Sequence, residues 1–347
     1  MPSLRPYIRY KERLLGREHR PIDARARRIT IQSAILGVKK TFFVSLPPGY
    51  HRVANSKMRY PVLYLFRGHE HEWVHRLQDR SRHGRTVIDV YRQLLAQGKV
   101  GPVILVFPGI SSDDNRVPGL LINFRAPELA AGVPGVGTGR FEDYFFDELI
   151  STVDRRFRTI AERTGRAVDG FSLGGFQSIK AAAQRPDIFC SAGSFDGTFL
   201  YATAKGRSVR LKDRVLGNPM FAPAFGAPPD PEFLVDNSPA NLIWRGDASE
   251  LARVQWLISS GPESGEPWQS NFFRAQHLIS VLGARGLENG IPPVMGMAMH
   301  NWSWADHHIE RTLPLHWQAF VTDHTKQAST PARAANSPKV SLTKEAP

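Results

Sequence analysis

Cysteine is nearly absent from this sequence. Cys190 is the only one among 347 residues, so no internal disulfide can form and a cysteine-based zinc cluster is excluded. The sequence also lacks an uninterrupted apolar run of about 18 residues, the length that a membrane-spanning helix requires. Residues 1–20 carry positive charge but have no apolar centre of the kind found in secretory signal peptides. We therefore expect a cytoplasmic protein without a membrane span.

Acidic residues are outnumbered by basic ones. The chain has 45 lysines and arginines against 32 aspartates and glutamates, which gives a formal net charge of +13. Residues 1–28 hold nine basic and three acidic side chains (net +6), residues 326–347 hold four and one (net +3), and +4 remains for residues 29–325. Charge concentrated at the two ends is typical of solvated arms, and no nucleic-acid-reading motif accompanies it. We predict no specific nucleic-acid partner and only weak attraction to anionic surfaces.

The composition of the two ends also sets the predicted domain boundaries. The tail 326–347 has no aromatic residue and too little apolar surface to offset the entropy cost of ordering, so it is predicted to be disordered. Residues 1–28 are predicted to form a basic N-terminal arm. Residues 29–325 are long enough for one large domain. Within it, the proline-rich stretch 197–250 lacks clear periodicity and is predicted to be a loop-rich cap or insertion.

Strand-like and helix-like segments alternate between these ends. The apolar runs Val62–Phe66 and Val103–Phe107 are continuous enough for strands buried on both faces, and a segment with helical spacing separates them. This alternation predicts an α/β fold with a mostly parallel sheet of about eight strands and helices on both faces. The strands are expected at 29–36, 41–46, 62–66, 103–107, a segment ending near 169, 188–194, 255–259 and 293–298. The helices are expected at 86–97, 144–157, from 173, 271–285 and 310–322.

The segment Gly170-Phe171-Ser172-Leu173-Gly174 fits the pattern G-x-S-x-G. It follows a short strand and opens a helix, the context in which this pattern forms a sharp turn that holds a serine in a strained conformation. The glycines avoid clashes across the turn. The serine hydroxyl then projects above the sheet, where the helix N-terminus favours developing negative charge. Ser172 is therefore the predicted nucleophile, and an incidental serine in a glycine-rich turn is the alternative.

At this point the sequence resembles the putative-esterase (esterase D-like) family of α/β-hydrolases, which includes enterochelin esterases, feruloyl esterases and mycolyltransferases. The resemblance covers about residues 29 to 323, and its motifs follow the family's order. It implies an eight-stranded α/β-hydrolase sheet and a catalytic triad in the order serine, acid, histidine. The matching stretches are SLPPGY, RYPVLYLFRGH, PVILVFPG, DELISTVDRRFRT, VDGFSLGGFQS and MHNWSW.

A serine nucleophile needs a histidine to take its proton. His300 is the predicted base, because it follows a strand-like run and begins the sequence HNWSW. The family has a similar His-Asp-Trp segment, from which Asn301 departs and with which Trp302 agrees. His307 and His308 compete, but they lie further along, in the predicted final helix.

The triad acid is predicted to be Glu266. The seventh strand is expected to end in a turn at Gly261, and the next acids are Glu263 and Glu266. Family members often place an acid shortly after this glycine, and Glu266 fits those with a longer loop. Glu263 remains an alternative, as does Asp196, which follows the sixth predicted strand.

The tetrahedral intermediate of acyl transfer needs backbone N–H donors directed at its oxygen. Leu173, directly after the nucleophile, is the first predicted donor, and His69, in the loop after the third strand, is the second. Trp302 and Trp304 lie close to His300 in the sequence and are candidates for the substrate pocket, although buried packing would explain them equally well. Asp169 stands at a position that is often small or apolar, and the sequence offers no account of it.

A second motif competes with the serine site. His71-Glu72-Trp73-Val74-His75 fits H-E-x-x-H, which on a helix places two imidazoles on one face to bind zinc with the glutamate as base. The segment, however, starts within a few residues of a buried strand, and no third ligand motif follows downstream. We therefore predict no metal site here and interpret these residues as polar side chains near a cleft.

Together these patterns predict a serine esterase that needs no cofactor and acts on a small-molecule ester. Ser172 would form an acyl-enzyme, with His300 as base and then acid, and Glu266 as its orienting partner. An acyltransferase would use the same triad with an alcohol in place of water. A non-catalytic binding protein could also keep the fold.

Overall fold

A seven-stranded sheet forms the centre of the protein in a computed structural model that describes residues 21–200, 217–266 and 269–328. The strands lie in the order β1-β2-β4-β3-β5-β6-β7. The strand β2 runs antiparallel to both neighbours, and all other neighbouring pairs are parallel. The strands are β1 (Ala26–Gln32), β2 (Lys39–Ser45), β3 (Val62–Phe66), β4 (Ile104–Phe107), β5 (Arg166–Gly170), β6 (Ser191–Phe195) and β7 (Gln255–Ser259).

The central strands are apolar along their whole length because helices cover both faces of the sheet. Every residue of β3 and of β4 is buried, as expected for parallel strands between two helical layers. The edge strand β1 instead alternates between covered and exposed positions. This confirms the predicted α/β-hydrolase class, with helical crossovers after β3.

The helices form two layers, one on each face. The first helix α1 (Val87–Ala96) and the final helix pack against one face, and most other helices pack against the other. Short 3-10 turns lie at Val53–Asn55, Glu72–Val74, Arg80–Arg82, Pro127–Ala130, Arg163–Gly165, Pro219–Phe221 and Glu263–Gly265. The remaining helices are α2 (Phe141–Asp143, π-helical Tyr144–Leu149 and Ile150–Arg156 in succession), α3 (Leu173–Gln184), α4 (Ala222–Phe225), α5 (Pro231–Asn237), α6 (Pro239–Arg245), α7 (Ala248–Leu251), α8 (Phe272–Ala284) and α9 (Trp302–Ala328).

The predicted eighth strand at 293–298 is not formed as a strand in the described residues. Two isolated parallel bridges, Ser260 with Val294 and Trp256 with Asn289, mark its place beside β7. Pro292 directly precedes this segment and Pro293 begins it, and both lack the N–H groups that a continuous ladder requires. The chain nevertheless passes the edge of β7 there and reaches His300 at the expected end of the sheet.

The predicted cap and the two ends are described only in part. Residues 217–250 form short helices rather than open loops, and residues 201–216 lie outside the described residues. Residues 26–28 of the predicted basic arm belong to β1, while residues 1–20 lie outside the description. The predicted disordered tail also lies outside it from residue 329 onward. No helix in the described ranges is both long and apolar enough to span a membrane.

Cys190 lies in the core, directly before β6. It is 2% exposed, and its backbone N–H donates to the carbonyl of Arg166 on the neighbouring strand. The only thiol of the chain is therefore held inside the sheet layer.

Candidate active site

Ser172 lies on a strained turn between β5 and α3. Its backbone angles are φ 59° and ψ −117°, a conformation that a serine adopts only when its surroundings enforce it. A Cβ on Gly174 would lie 2.0 Å from the carbonyl oxygen of Phe66, so only glycine allows α3 to begin this close to β3. The turn therefore has the geometry of a nucleophile elbow, as the G-x-S-x-G pattern predicts.

The imidazole of His300 is hydrogen-bonded to a buried carboxylate. Its Nδ1 lies 2.5 Å from Oδ2 of Asp196, whose side chain is fully buried, while the His300 side chain is 29% exposed. The other carboxylate oxygen of Asp196 accepts hydrogen bonds from the backbone N–H groups of Gly261 (3.2 Å) and Asn271 (2.8 Å). With its orientation fixed in this way, Asp196 holds the proton on Nδ1 and leaves Nε2 of His300 as the free basic nitrogen.

The prediction of Glu266 as the partner of His300 is corrected by this contact. The carboxylate on His300 is Asp196, which the sequence offered only as an alternative, and Glu263 makes no such contact in the described residues. Burial raises the pKa of Glu266, and its Oε1 has no hydrogen-bond partner among the described residues. Asp196 reaches His300 because it follows β6 directly and its backbone enters the left-handed region at φ 49°, which turns the side chain across the end of β7.

Aromatic rings bring the serine turn and the histidine together. Phe171 directly precedes Ser172, and its ring centroid lies 4.7 Å from that of His300. Phe195, which precedes Asp196, stacks on Phe171 at 5.5 Å. The backbone N–H of Ser172 donates to the carbonyl of Phe195 at 3.0 Å. Ser172 and Asp196 therefore follow the carboxyl ends of the neighbouring strands β5 and β6, and His300 lies against them at the same edge of the sheet.

Ser172 itself is 6% exposed. Its hydroxyl oxygen lies 3.4 Å from that of Thr198, and the backbone N–H of Thr198 donates to the Ser172 carbonyl at 3.0 Å. Thr198 therefore borders the nucleophile, although no sequence pattern indicated it.

The two predicted oxyanion donors differ in availability. Leu173 is the first residue of α3, so its N–H has no carbonyl one turn back and is available to an oxyanion. The N–H of His69 instead donates to Oε1 of Glu72 at 2.7 Å, so the prediction for His69 is corrected. In the same loop, the backbone nitrogen of Arg67, which precedes Gly68, lies near the elbow, since a Cβ on Gly174 would lie 2.8 Å from it.

Trp302 and Trp304, the two candidate pocket residues, both pack against other aromatic rings. Trp302 is 5% exposed and packs edge-to-face against Trp73 and Phe171, so it is part of the core rather than an open pocket wall. Trp304 packs on His307 and borders a surface groove with Met297. Buried packing, the alternative interpretation of the two tryptophans, describes Trp302 best.

The H-E-x-x-H segment does not form the helix that zinc binding by this pattern requires. Only Glu72–Val74 forms a 3-10 turn, and the rings of His71 and His75 lie 5.5 Å apart in a tilted stack. Burial lowers the pKa of His71 to about 3 and that of His75 to about 4. The described residues contain no group of three or more histidine, cysteine or acidic side chains arranged to hold a metal. Glu72 instead accepts hydrogen bonds from the N–H of His69 and from the side-chain amide of Asn115.

Asp169, for which the sequence had no account, is the centre of a buried polar network. Its carboxylate is fully buried and accepts hydrogen bonds from Nε2 of His308 (3.1 Å), Nε2 of His316 (3.1 Å) and the hydroxyl of Thr312 (2.8 Å). Burial raises the pKa of Asp169, but the two imidazoles more than offset it and hold the pKa below its usual range. The spacing of the three partners, i, i+4 and i+8, places them on one face of α9. That spacing, together with an acid in a buried strand, was the available signal.

The comparisons with known proteins agree with this geometry. The family model described as "Putative esterase" matches residues 33–277. The chain belongs to the putative-esterase family. This match confirms the resemblance that the sequence motifs indicate.

Two curated relatives and one solved structure are informative. An endo-1,4-beta-xylanase/feruloyl esterase from Xylanibacter ruminicola is 32% identical over 49% of this chain and 21% of its own length. An esterase from Mycobacterium tuberculosis is 34% identical over 48% of this chain and 31% of its own length. The chain therefore spans less than a third of these relatives. The solved structure of a ferulic acid esterase covers 86% of this chain and 99% of its own, with a TM-score of 0.63 at 19% identity, and shows the shared fold.

Proposed function

We propose that this protein is a carboxylic ester hydrolase that works through an acyl-enzyme on Ser172, with a Ser172–His300–Asp196 triad. The observation that carries the proposal is the hydrogen bond from His300 to the buried Asp196, formed beside a strained serine on the neighbouring strand end. Membership of the putative-esterase family supports the same reaction.

The first half of the reaction forms the acyl-enzyme. The hydroxyl oxygen of Ser172 bonds to the ester carbonyl carbon while Nε2 of His300 takes the hydroxyl proton. The carbonyl oxygen becomes an oxyanion, which the N–H of Leu173 and the Arg67-Gly68 backbone are proposed to bind. The tetrahedral intermediate then breaks its bond to the alcohol oxygen, which leaves with the proton held by His300.

The second half returns the free enzyme. Water attacks the acyl carbon and gives one proton to Nε2 of His300, and the bond to Ser172 breaks as that proton returns to the serine oxygen. Throughout, Asp196 accepts the Nδ1–H of His300 and stabilises the imidazolium that forms in each step. Apart from the ester and water, these steps use only side chains and backbone groups of this chain.

A panel of aryl and alkyl esters tests the proposal on the wild type and Ser172→Ala together. Feruloyl esters belong in the panel because relatives with this activity in their names match this chain. We expect hydrolysis by the wild type only, and labelling of the wild type only by a fluorophosphonate probe. Ester hydrolysis by Ser172→Ala at the wild-type rate would refute the assignment. Product analysis with a competing alcohol separates hydrolysis from acyl transfer.

A further inference from the structure

A series of aromatic ring contacts connects the Asp169 network with the proposed triad. The ring of His308 packs on Phe195 with centroids 5.7 Å apart, and Phe195 stacks on Phe171 at 5.5 Å. Phe171 in turn contacts His300 at 4.7 Å. A continuous column of four rings therefore leads from the buried carboxylate to the catalytic imidazole.

The same network joins three strands to the final helix. Asp169 lies on β5, while the second nitrogens of the two imidazoles are held by serine hydroxyls on other strands. Nδ1 of His308 lies 2.9 Å from the Ser259 hydroxyl on β7, and Nδ1 of His316 lies 2.8 Å from the Ser191 hydroxyl on β6. Because Asp169 accepts at both Nε2 atoms, each imidazole carries a proton there.

We propose that Asp169, with His308 and His316, is a positioning unit that fixes the catalytic imidazole relative to Ser172. It acts along the ring column and through α9, whose first residue lies two positions after His300. The inference rests on the proposed function, since it assigns a role relative to that triad. None of the three residues touches the substrate or the reacting atoms.

Stability alone is a poor explanation for this arrangement. A buried charge is costly to desolvate, and well-packed apolar side chains often serve the fold as well or better. The network also requires a residue without a side chain at position 193, because a Cβ on Gly193 would lie 2.2 Å from Oδ2 of Asp169. Directional hydrogen bonds instead fix the rotation of α9 about its axis and its position along that axis. Apolar packing defines both less precisely.

Three variants test the proposal, namely Asp169→Ala, Asp169→Asn and His308→Gln. The readouts are the second-order rate of fluorophosphonate labelling per folded molecule, and kcat and KM for a small aryl ester. Asp169→Ala leaves two imidazole N–H groups without an acceptor, so we expect labelling and kcat to fall by about 10-fold or more, with KM within about 2-fold, since small displacements of catalytic groups carry large rate costs. Asp169→Asn keeps an acceptor, and we expect it to restore part of the rate.

Lys180→Gln provides the matched control. It breaks another buried ion pair, with Glu142 at 2.6 Å, on the opposite face of the sheet. We expect a lower melting temperature with labelling per folded molecule close to wild type. If the Asp169 variants behave like this control, the network serves stability only and the proposal is overturned.

Two further outcomes are also decisive. If Asp169→Ala does not fold, unchanged labelling of both Asp169→Asn and His308→Gln overturns the proposal, and slowed labelling supports it. Failure of the proposed function looks different, because the wild type itself would then resist the probe.

Discussion

At the scale of single residues, the decisive feature is that the two carboxylate oxygens of Asp196 have different hydrogen-bond partners. One oxygen accepts two backbone N–H groups, and the other is left for Nδ1 of His300. The backbone donors fix which oxygen faces the imidazole. A short-range pattern in the sequence could not identify this acid, because the backbone donors that orient it come from Gly261 and Asn271, far along the chain.

Asp196→Asn is expected to lower kcat by roughly 10³–10⁴-fold, because an amide facing Nδ1 stabilises the wrong imidazole tautomer. Glu266→Gln is the matched control and should change kcat less than about 3-fold, as expected for a side chain that does not touch the imidazole. Steady-state kinetics on one aryl ester checks both variants. The reverse ranking would restore Glu266 as the acid and contradict the assignment of Asp196.

At the scale of elements, the junction of β3 with α3 depends on one glycine. The close approach at Gly174 sets how near the elbow lies to the loop after β3, and therefore how near the two proposed oxyanion donors lie to each other. Gly283, near the end of α8, has open space around its Cβ position. We therefore expect replacement by alanine to have opposite effects on stability at Gly174 and Gly283.

Gly174→Ala should lower both stability and kcat, because its Cβ would overlap the Phe66 carbonyl oxygen. Gly283→Ala should raise the free energy of unfolding by about 0.5–1 kcal/mol, the usual gain at a helical glycine that alanine can replace without strain. Denaturant unfolding and ester kinetics on both variants check this pair. Equal effects from the two substitutions would show that the backbone around Gly174 can shift without loss of stability or activity.

The segment before β1 is attached to α1 and to the loop after β3 by ion pairs. Asp23 is 1% exposed and lies between Arg25 (2.5 Å) and Arg76 (2.7 Å), and Arg25 also bonds to Asp89. Burial raises the pKa of Asp23, but the hydrogen bonds from Arg25 and Thr86 outweigh it and lower the pKa to about 2.

A carboxylate whose pKa is lower in the folded state stabilises the fold above its unfolded pKa and loses that contribution as the pH falls. For Asp23, with a drop from 3.8 to about 2, the contribution is about 2 kcal/mol at neutral pH and declines below about pH 4. Asp23→Asn should therefore be less stable than wild type at pH 7, and the difference should narrow toward pH 3. Melting temperatures between pH 3 and pH 7 test this. A difference that is constant with pH would contradict it.

At the scale of the whole molecule, the sequence predicted what depends on local pattern. Seven of the eight expected strands formed, and the elbow followed from five consecutive residues. What it missed depends on contacts between distant segments. Asp196 meets His300 only once β6, β7 and the final loop are assembled. The role of Asp169 likewise required its strand and the matching face of α9 to be seen together. The prediction for His69 failed for a local reason instead, because the side chain of Glu72, three residues away, occupies its N–H.

The reactivity of the buried Cys190 thiol can be used to measure unfolding of this protein. Because the chain has one thiol and the core encloses it, modification by a small disulfide reagent requires the strands around it to separate. We expect no reaction in native buffer over minutes and one equivalent in denaturant, with a rate between these limits that follows global opening. Every variant discussed above could then be ranked by thiol-exchange kinetics without an added label, and rapid modification of the native protein would show that the core opens locally.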